Sequence, residues 1–386
     1  MNDTLQTLMR EASRLTQAGR LTEATAAIQR ALTGGAPETT GPRGPVAGPP
    51  DAGLILDGCV FEVRARPPAT PFVVPATAPV RQTGQADFTS ASHTHGGLTR
   101  RYKLYTPPGH AGKALPLVVM LHGCTQNPDD FAAGTGMNER AREQGFFVLY
   151  PEQPQGANPQ RCWNWFKHNH QRRGSGEPAL IADLTRAVIK QHGIDARRVY
   201  IAGLSAGGAM AAIVADAYPE LFAAVGVHSG LPSGAARNMP EALALMRSGA
   251  TGPGLRGQAG QFGAGSARIE KTSQQAVPTI VFHGDEDKTV HPRNGEQVIA
   301  AVLAGAVVGA AAGAAASQVE KGLSPNGRRY TRSTHRGGQG KVLAEHWLVH
   351  GAGHAWSGGH AAGSYTDAKG PDATREMLRF FFSHPH

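Results

Sequence analysis

Two hydrophobic periods alternate along the chain from residue 86 onwards. Apolar runs of strand length, rich in β-branched residues, recur as "LPLVVMLHG", "FFVLYPE", "RRVYIAGLS", "FAAVGVHSG", "VPTIVFHGDED" and "EHWLVHGAGH", with "RRYKLYTP" as a further strand ahead of them. Between the runs, apolar residues take helical spacing. "DDFAAGTGMNERAREQG" predicts a helix that stops at Gly145, and "ALIADLTRAVIKQHG" one that ends on Gly193. "AMAAIVADAYP" and a closing "DATREMLRFFFSH" complete the helical set. Strands without polar alternation, separated by amphipathic helices, predict a mainly parallel sheet covered by helices on both faces, an α/β domain over residues 86–386.

The pattern upstream differs. In residues 1–33, Leu5, Leu8, Met9, Ala12 and Leu15 form one stripe and Leu21, Ala24, Ile28 and Leu32 another, with "QAGR" as the turn of a helical hairpin. One helical pair cannot bury its apolar face alone. It therefore packs on the main domain, on a second copy as a homo-oligomer contact, or on an external partner. Residues 34–85, rich in Pro, Gly, Ala and Thr, read as a linker. The uncharged stretch "IAAVLAGAVVGAAAGAAAS", Ile299 to Ser317, is dominated by alanine and glycine. Its transfer energy is too weak for a span, so it predicts a partly buried helix running into an insertion.

Composition narrows the classes. With 386 residues, 40% hydrophobic and 17% charged, the chain has ample material for a core. The formal net charge is +9, yet no Lys/Arg run is interleaved with aromatics, which argues against a nucleic-acid groove. An acidic partner or negatively charged surface stays open. The opening "MNDTLQTLMREASRL" has no basic n-region, apolar h-region or small-residue cleavage site, which favours the cytoplasm. Three cysteines, Cys59, Cys124 and Cys162, exclude a disulfide-rich scaffold and leave room for one bridge.

In a parallel sheet, functional groups gather in the loops at the carboxyl ends of the strands, and four loops here carry them. Gly203-Leu204-Ser205-Ala206-Gly207 lies between strand and helix, the setting of a nucleophile elbow, where small neighbours permit a strained turn that exposes the serine hydroxyl. The hydroxyl needs a base. His354, in the glycine-rich loop "GAGHAWSGG", is favoured over His346, His350 and His360. The imidazole in turn needs an acid to hold its tautomer. Asp285, Glu286 and Asp287 are available, and the HG-x-x-D-x-x-V spacing favours Asp287, with Asp285 expected to cap its own turn. The fourth loop, His122-Gly123-Cys124, follows an early strand and predicts an oxyanion hole built from the backbone N–H groups of Cys124 and Ala206. No His/Cys spacing suggests a metal site, and no cofactor is expected.

"LHGCTQNPDDFAAGTGMNERAREQGFFVLYPEQ", "RCWNWF", "GLSAGGAMA", "HGDEDKTVHP" and "GAGHAWSGG", in that order, resemble the polyhydroxybutyrate depolymerase family of esterases, whose relatives include feruloyl and acetylxylan esterases. The resemblance implies an α/β-hydrolase fold and a serine esterase with Ser205, Asp287 and His354 as its triad. It also implies a Cys124–Cys162 disulfide, with Cys59 an unpaired thiol. His122, Trp163, Trp165 and Trp356 are the candidate substrate contacts. A disulfide suits an extracellular protein better than a cytosolic one, so the two location signals oppose each other. Secreted depolymerases of solid polymer carry a signal peptide, a linker module and a substrate-binding domain after the catalytic domain, none of which is read here. Gly/Ala-rich insertions at 247–267 and 303–317 fall where specificity loops could sit. The expected substrates are soluble hydroxyalkanoate esters or oligomers first, and feruloyl or acetyl esters of plant polysaccharide second. A non-catalytic granule- or surface-binding protein is the rival.

Overall fold

The structure, a computed structural model, describes residues 86–249, 276–307, 316–337 and 340–386. The expected helical hairpin at 1–33, the linker at 34–85 with Cys59, and much of both insertions lie outside the described residues.

Strands β3 (Leu117–Leu121), β4 (Phe147–Pro151), β5 (Val199–Leu204), β6 (Ala224–His228) and β7 (Thr279–Gly284) are buried along their whole length. Together with β10 (Val342–Val349) they pair in parallel. Odd and even positions point to opposite faces. Leu117, Val119 and Leu121 therefore enter one core cluster, and Val118 and Met120 the other. Both faces need cover, and for that reason these runs show no polar alternation.

Antiparallel strands extend both edges: β1 (Asp87–His95) and β2 (Leu98–Thr106) beside β4, and β9 (Arg329–Arg336) and β8 (Ala316–Leu323) beside β10. The order is β1-β2-β4-β3-β5-β6-β7-β10-β9-β8. Strands β1, β8 and β9 carry sequences such as DFTSASHTH and RYTRSTHR. They bury little, so no apolar run announced them. A short pair, β11 (Trp356–Ser357) and β12 (Thr366–Asp367), stands apart from the large sheet.

The helices are α1 (Pro128–Thr135), α2 (Met137–Gln144), α3 (Gly176–His192), α4 (Ala206–Ala217), α5 (Met239–Ser248), α6 (Arg293–Val307) and α7 (Ala373–Phe382). The single helix expected over 129–145 is two. Gly136 takes the left-handed conformation at φ 62° and ends α1, and a Cβ there would lie 2.7 Å from His360 Nε2. That packing against a residue far along the chain is invisible to periodicity. Helix α6 takes the first part of the Ile299–Ser317 stretch. Among the described residues no helix is long and apolar enough to cross a membrane. Helix α7 buries Met377, Phe380 and Phe381, with Phe381 stacked on Tyr200 of β5 at 5.1 Å between ring centroids.

Candidate active site

Strand β5 ends at Leu204 and α4 begins at Ala206, so Ser205 alone makes the turn. Its backbone sits at φ 57° and ψ −119°, a conformation that costs a non-glycine residue on the order of 1–3 kcal/mol and persists only where its surroundings enforce it. The Ser205 N–H donates to His228 O at 2.8 Å, and its carbonyl accepts from Ala209 N at 2.9 Å. The flanking glycines have a steric reason. A Cβ on Gly203 would stand 2.4 Å from the Gly207 backbone, and one on Gly207 would stand 2.0 Å from Leu121 O of β3. Strand, turn and helix cross too closely for side chains at either position. Ser205 itself is 8% exposed. Ala206 occupies the first position of α4, where the N–H has no intrahelical acceptor and faces a developing negative charge favourably.

The loop after β3 is held from several directions. Gly123 N–H donates to Gln126 Oε1 at 2.9 Å, and Thr125 N–H to Gln160 O at 2.7 Å. The sulfurs of Cys124 and Cys162 are bonded, with the two Cα atoms 4.2 Å apart. Thr125 has φ 67°, and its hydroxyl pairs with the Tyr365 hydroxyl at 3.1 Å. Asp130 accepts from Gln126 Nε2, Ser364 N and Ser364 Oγ at 2.6–2.8 Å. These bonds tie the loop to the segment following His354. Cys124 N–H donates to no group among the described residues.

Asp287 follows β7 and His354 follows β10, two neighbouring strands. His354 Nδ1 lies 2.7 Å from Asp287 Oδ2. A carboxylate oxygen accepts, so Nδ1 carries the proton and Nε2 keeps its lone pair. Asp287 Oδ1 accepts from Thr289 N at 2.9 Å and Val290 N at 2.8 Å. Burial by itself would raise this carboxyl's pKa, but hydrogen bonds from His283, His354 and the Val290 N–H, with the charge of His354, hold it well below the usual carboxylate range.

Asp285 departs from expectation. It does not cap its own turn; its carboxylate reaches the next loop, to His350 Nδ1 and Gly351 N, each at 2.7 Å. Local turn chemistry cannot anticipate a bond to a residue sixty-five positions away. The other histidines are also accounted for. His350 is held by Asp285 and Thr331, His346 is half-buried in β10 with its Nε2 out of solvent, and His360 packs against Gly136. Among the described residues no three His, Cys, Asp or Glu side chains converge as a metal ion would require.

Set against known proteins, residues 100–322 match the family described as esterase PHB depolymerase. The chain belongs to this family. Poly(3-hydroxyalkanoate) depolymerase C of Paucimonas lemoignei is 32% identical over 236 residues, 59% of this chain and 54% of that protein. Feruloyl esterase B of Thermothelomyces thermophilus is 30% identical over 187 residues, 48% and 63% of the two chains. Acetylxylan esterase A of Talaromyces purpureogenus is 30% identical over 184 residues, 46% of each. The chain thus spans about half the length of the curated relatives it matches. Among solved structures, an acetyl xylan esterase from Aspergillus awamori superposes with a TM-score of 0.55 at 19% identity, covering 76% of this chain and 99% of its own. That likeness establishes the α/β-hydrolase fold.

Within this family member, the four residues expected to contact substrate are all buried. Trp163 is fully buried and its indole N–H donates to His122 O at 3.1 Å. Trp356 is 1% exposed, donates to Thr374 Oγ1 at 3.0 Å, and stacks on His228. Trp165 is buried edge-to-face against Phe166. His122 donates through Nδ1 to Gly123 O at 2.8 Å and accepts at Nε2 from Gln153 N at 3.1 Å. Burial lowers its pKa to about 4, so it is a neutral brace for the loop. The indole N–H groups of Trp163 and Trp356 are thus bonded within the protein.

Three residues at the site escaped the sequence reading. His228, at the end of β6, accepts from Ser205 N through its carbonyl and from Ser357 N at Nε2, 2.9 Å away, joining the elbow to the His354 loop. Tyr365 is 46% exposed with φ 52°, its ring centroid 6.5 Å from that of His354. His283, in the same "HGDED" stretch as Asp287, lies beside the Asp287 carboxylate. Its place four residues before the acid was the signal available.

Proposed function

We propose that this protein is a serine carboxylic-ester hydrolase in which Ser205 is the nucleophile, His354 the base and Asp287 the acid. The observation that carries the reading is the 2.7 Å bond between His354 Nδ1 and Asp287 Oδ2, on the sheet edge where the strained Ser205 turn stands. It leaves Nε2 of His354 ready to take a proton. In the first half-reaction, Nε2 removes the Ser205 hydroxyl proton as Oγ attacks the ester carbonyl carbon. The negative oxygen of the tetrahedral intermediate rests on the N–H groups of Ala206 and Cys124. The ester C–O bond then breaks, and the alcohol departs with the proton from His354. Water repeats the sequence on the acyl-enzyme, releasing the acid and restoring Ser205.

Hydroxyalkanoate esters or their oligomers are the first substrate class, supported by the similarity to the Paucimonas lemoignei depolymerase. Feruloyl or acetyl esters of polysaccharide are the second, supported by the matches to esterases of those names. The test is hydrolysis of p-nitrophenyl butyrate, methyl ferulate and a hydroxybutyrate trimer by wild type and Ser205→Ala. Turnover by wild type with a kcat loss of about 10⁴–10⁶-fold in the variant is the expected result, and the preferred ester names the branch. An unaffected variant, or no hydrolysis by either protein, would overturn the reading in favour of a binding protein.

A further inference from the structure

The Asp287 oxygen that binds His354 has a second imidazole beside it. His283, near the end of β7, is completely buried, with Nε2 2.8 Å from Val290 O and 3.4 Å from Asp287 Oδ2. A carbonyl only accepts, so Nε2 carries a proton. The other nitrogen, Nδ1, is buried and has no hydrogen-bond partner. A proton there would be an unpaired buried donor, which is costly. His283 is therefore the neutral Nε2–H tautomer. Its single proton bonds the Val290 carbonyl, and Nε2 stands 3.4 Å from the carboxylate oxygen engaged by His354.

Val290 closes the arrangement. Its N–H donates to Asp287 Oδ1 while its carbonyl accepts from His283. Asp287 is thus gripped at Oδ1 by the backbone and flanked at Oδ2 by one histidine on each side of the chemistry. On the far side of the His283 ring stands Gly295 in α6. A Cβ there would fall 2.9 Å from His283 Nδ1 and 3.2 Å from His346 Nε2. His346 Nε2 is itself buried without a partner. The ring has no slack in that direction, and a glycine is the residue that leaves it room.

Resting on the triad reading above, we propose that His283 is a positioning residue for ester hydrolysis: its Nε2–H fixes the Asp287 carboxylate in the orientation that accepts from His354, and Gly295 keeps the His283 ring in place. It touches neither substrate nor Ser205. Its effect passes through Asp287 to the tautomer and aim of the base, so it acts on kcat and on Ser205 reactivity, not on substrate binding.

The experiment compares wild type, His283→Leu, His283→Gln and Gly295→Ala by kcat and KM on p-nitrophenyl butyrate, by the rate of Ser205 labelling with a fluorophosphonate, and by Tm. His283→Leu should lose about 10–100-fold in kcat, the scale of a small misplacement of a catalytic group, with KM within about 3-fold. Labelling should slow in parallel. His283→Gln, whose amide nitrogen reaches the Nε2 position, should recover most of the loss. Gly295→Ala removes no hydrogen-bonding group, yet should lower kcat several-fold by displacing the ring. A folded His283→Leu with wild-type kcat would overturn the proposal, as would equal losses in the Leu and Gln variants or a loss confined to KM. Where His283→Leu does not fold, the Gln and Gly295→Ala variants decide: retained kcat in Gln with a loss in Gly295→Ala supports it, and wild-type kcat in Gly295→Ala overturns it. A wild-type protein that neither labels nor hydrolyses would overturn the triad reading itself, an outcome distinct from these.

Discussion

At the scale of single residues, two aspartates two positions apart do different work because they face different partners. Asp287 is buried and bonded to His354; Asp285 sits at the surface end of the same turn and holds His350 and Gly351. An amide at 287 would present an N–H where His354 needs an acceptor and favour the wrong imidazole tautomer. Asp287→Asn should therefore lower kcat on p-nitrophenyl butyrate by roughly 10³–10⁴-fold. Asp285→Asn should change it less than about 3-fold while costing about 1 kcal/mol of stability, the worth of a partly exposed hydrogen-bonded pair. Steady-state kinetics of the two variants side by side check this, and equal losses would refute the assignment. The preference for Asp287 was legible in the spacing after the strand. The partner of Asp285 was not, because it lies on another loop.

Among secondary-structure elements, the β5–α4 crossing shows why the elbow is glycine-rich. Gly207 rides directly on the Leu121 and His122 carbonyls, where an added Cβ would stand 2.0 and 2.5 Å away. Backbone cannot yield as a flexible side chain does. Gly207→Ala should thus push α4 off β3 and destabilise the fold by about 3 kcal/mol, at the upper end for overpacking. It should also shift the Ala206 N–H and so lower kcat. Chemical denaturation with parallel kinetics tests both. A Gly145→Ala control, where no atom lies within 4 Å of the added Cβ but φ is 72°, isolates backbone strain from crowding. The central strands and most helices were readable because their apolar period is local. The break between α1 and α2 was not, since Gly136 yields to the distant His360 ring. Nor were β1, β8 and β9, antiparallel strands flanking the parallel core whose polar faces carry no buried run.

Over the whole molecule, histidines held neutral by burial couple folding to pH. Burial lowers the pKa of His122 and His346 to about 4 and that of His228 well below the ordinary value. For His346, the nearby His283 and His335 add to the effect. The unfolded chain takes up these protons near pH 6.5, whereas the folded protein refuses them until far lower pH. The stability they permit is complete above about pH 6.5 and is lost as pH falls from there towards the folded values, at about 1.4 kcal/mol per pH unit for each histidine. Tm should therefore decline steeply between pH 6.5 and 4.5. In His346→Phe, the slope of unfolding free energy against pH should flatten by about one proton. A variant with the wild-type slope would show that His346 is protonated equally in both states.

What the sequence by itself determined is what local pattern controls: an α/β sheet, a serine on a strand-to-helix turn, and an acid and a histidine each following its own strand. Period and turn chemistry act within a few residues, so they can be read from neighbours alone. Only the tertiary structure decided that Asp285 meets His350, that Trp163 and Trp356 are buried, and that His228, His283 and Tyr365 stand at the site. Each of those outcomes rests on a contact between segments brought together by sheet order. The 67 positions that separate Asp287 from His354 along the chain are spanned by the adjacency of β7 and β10, which no local pattern encodes.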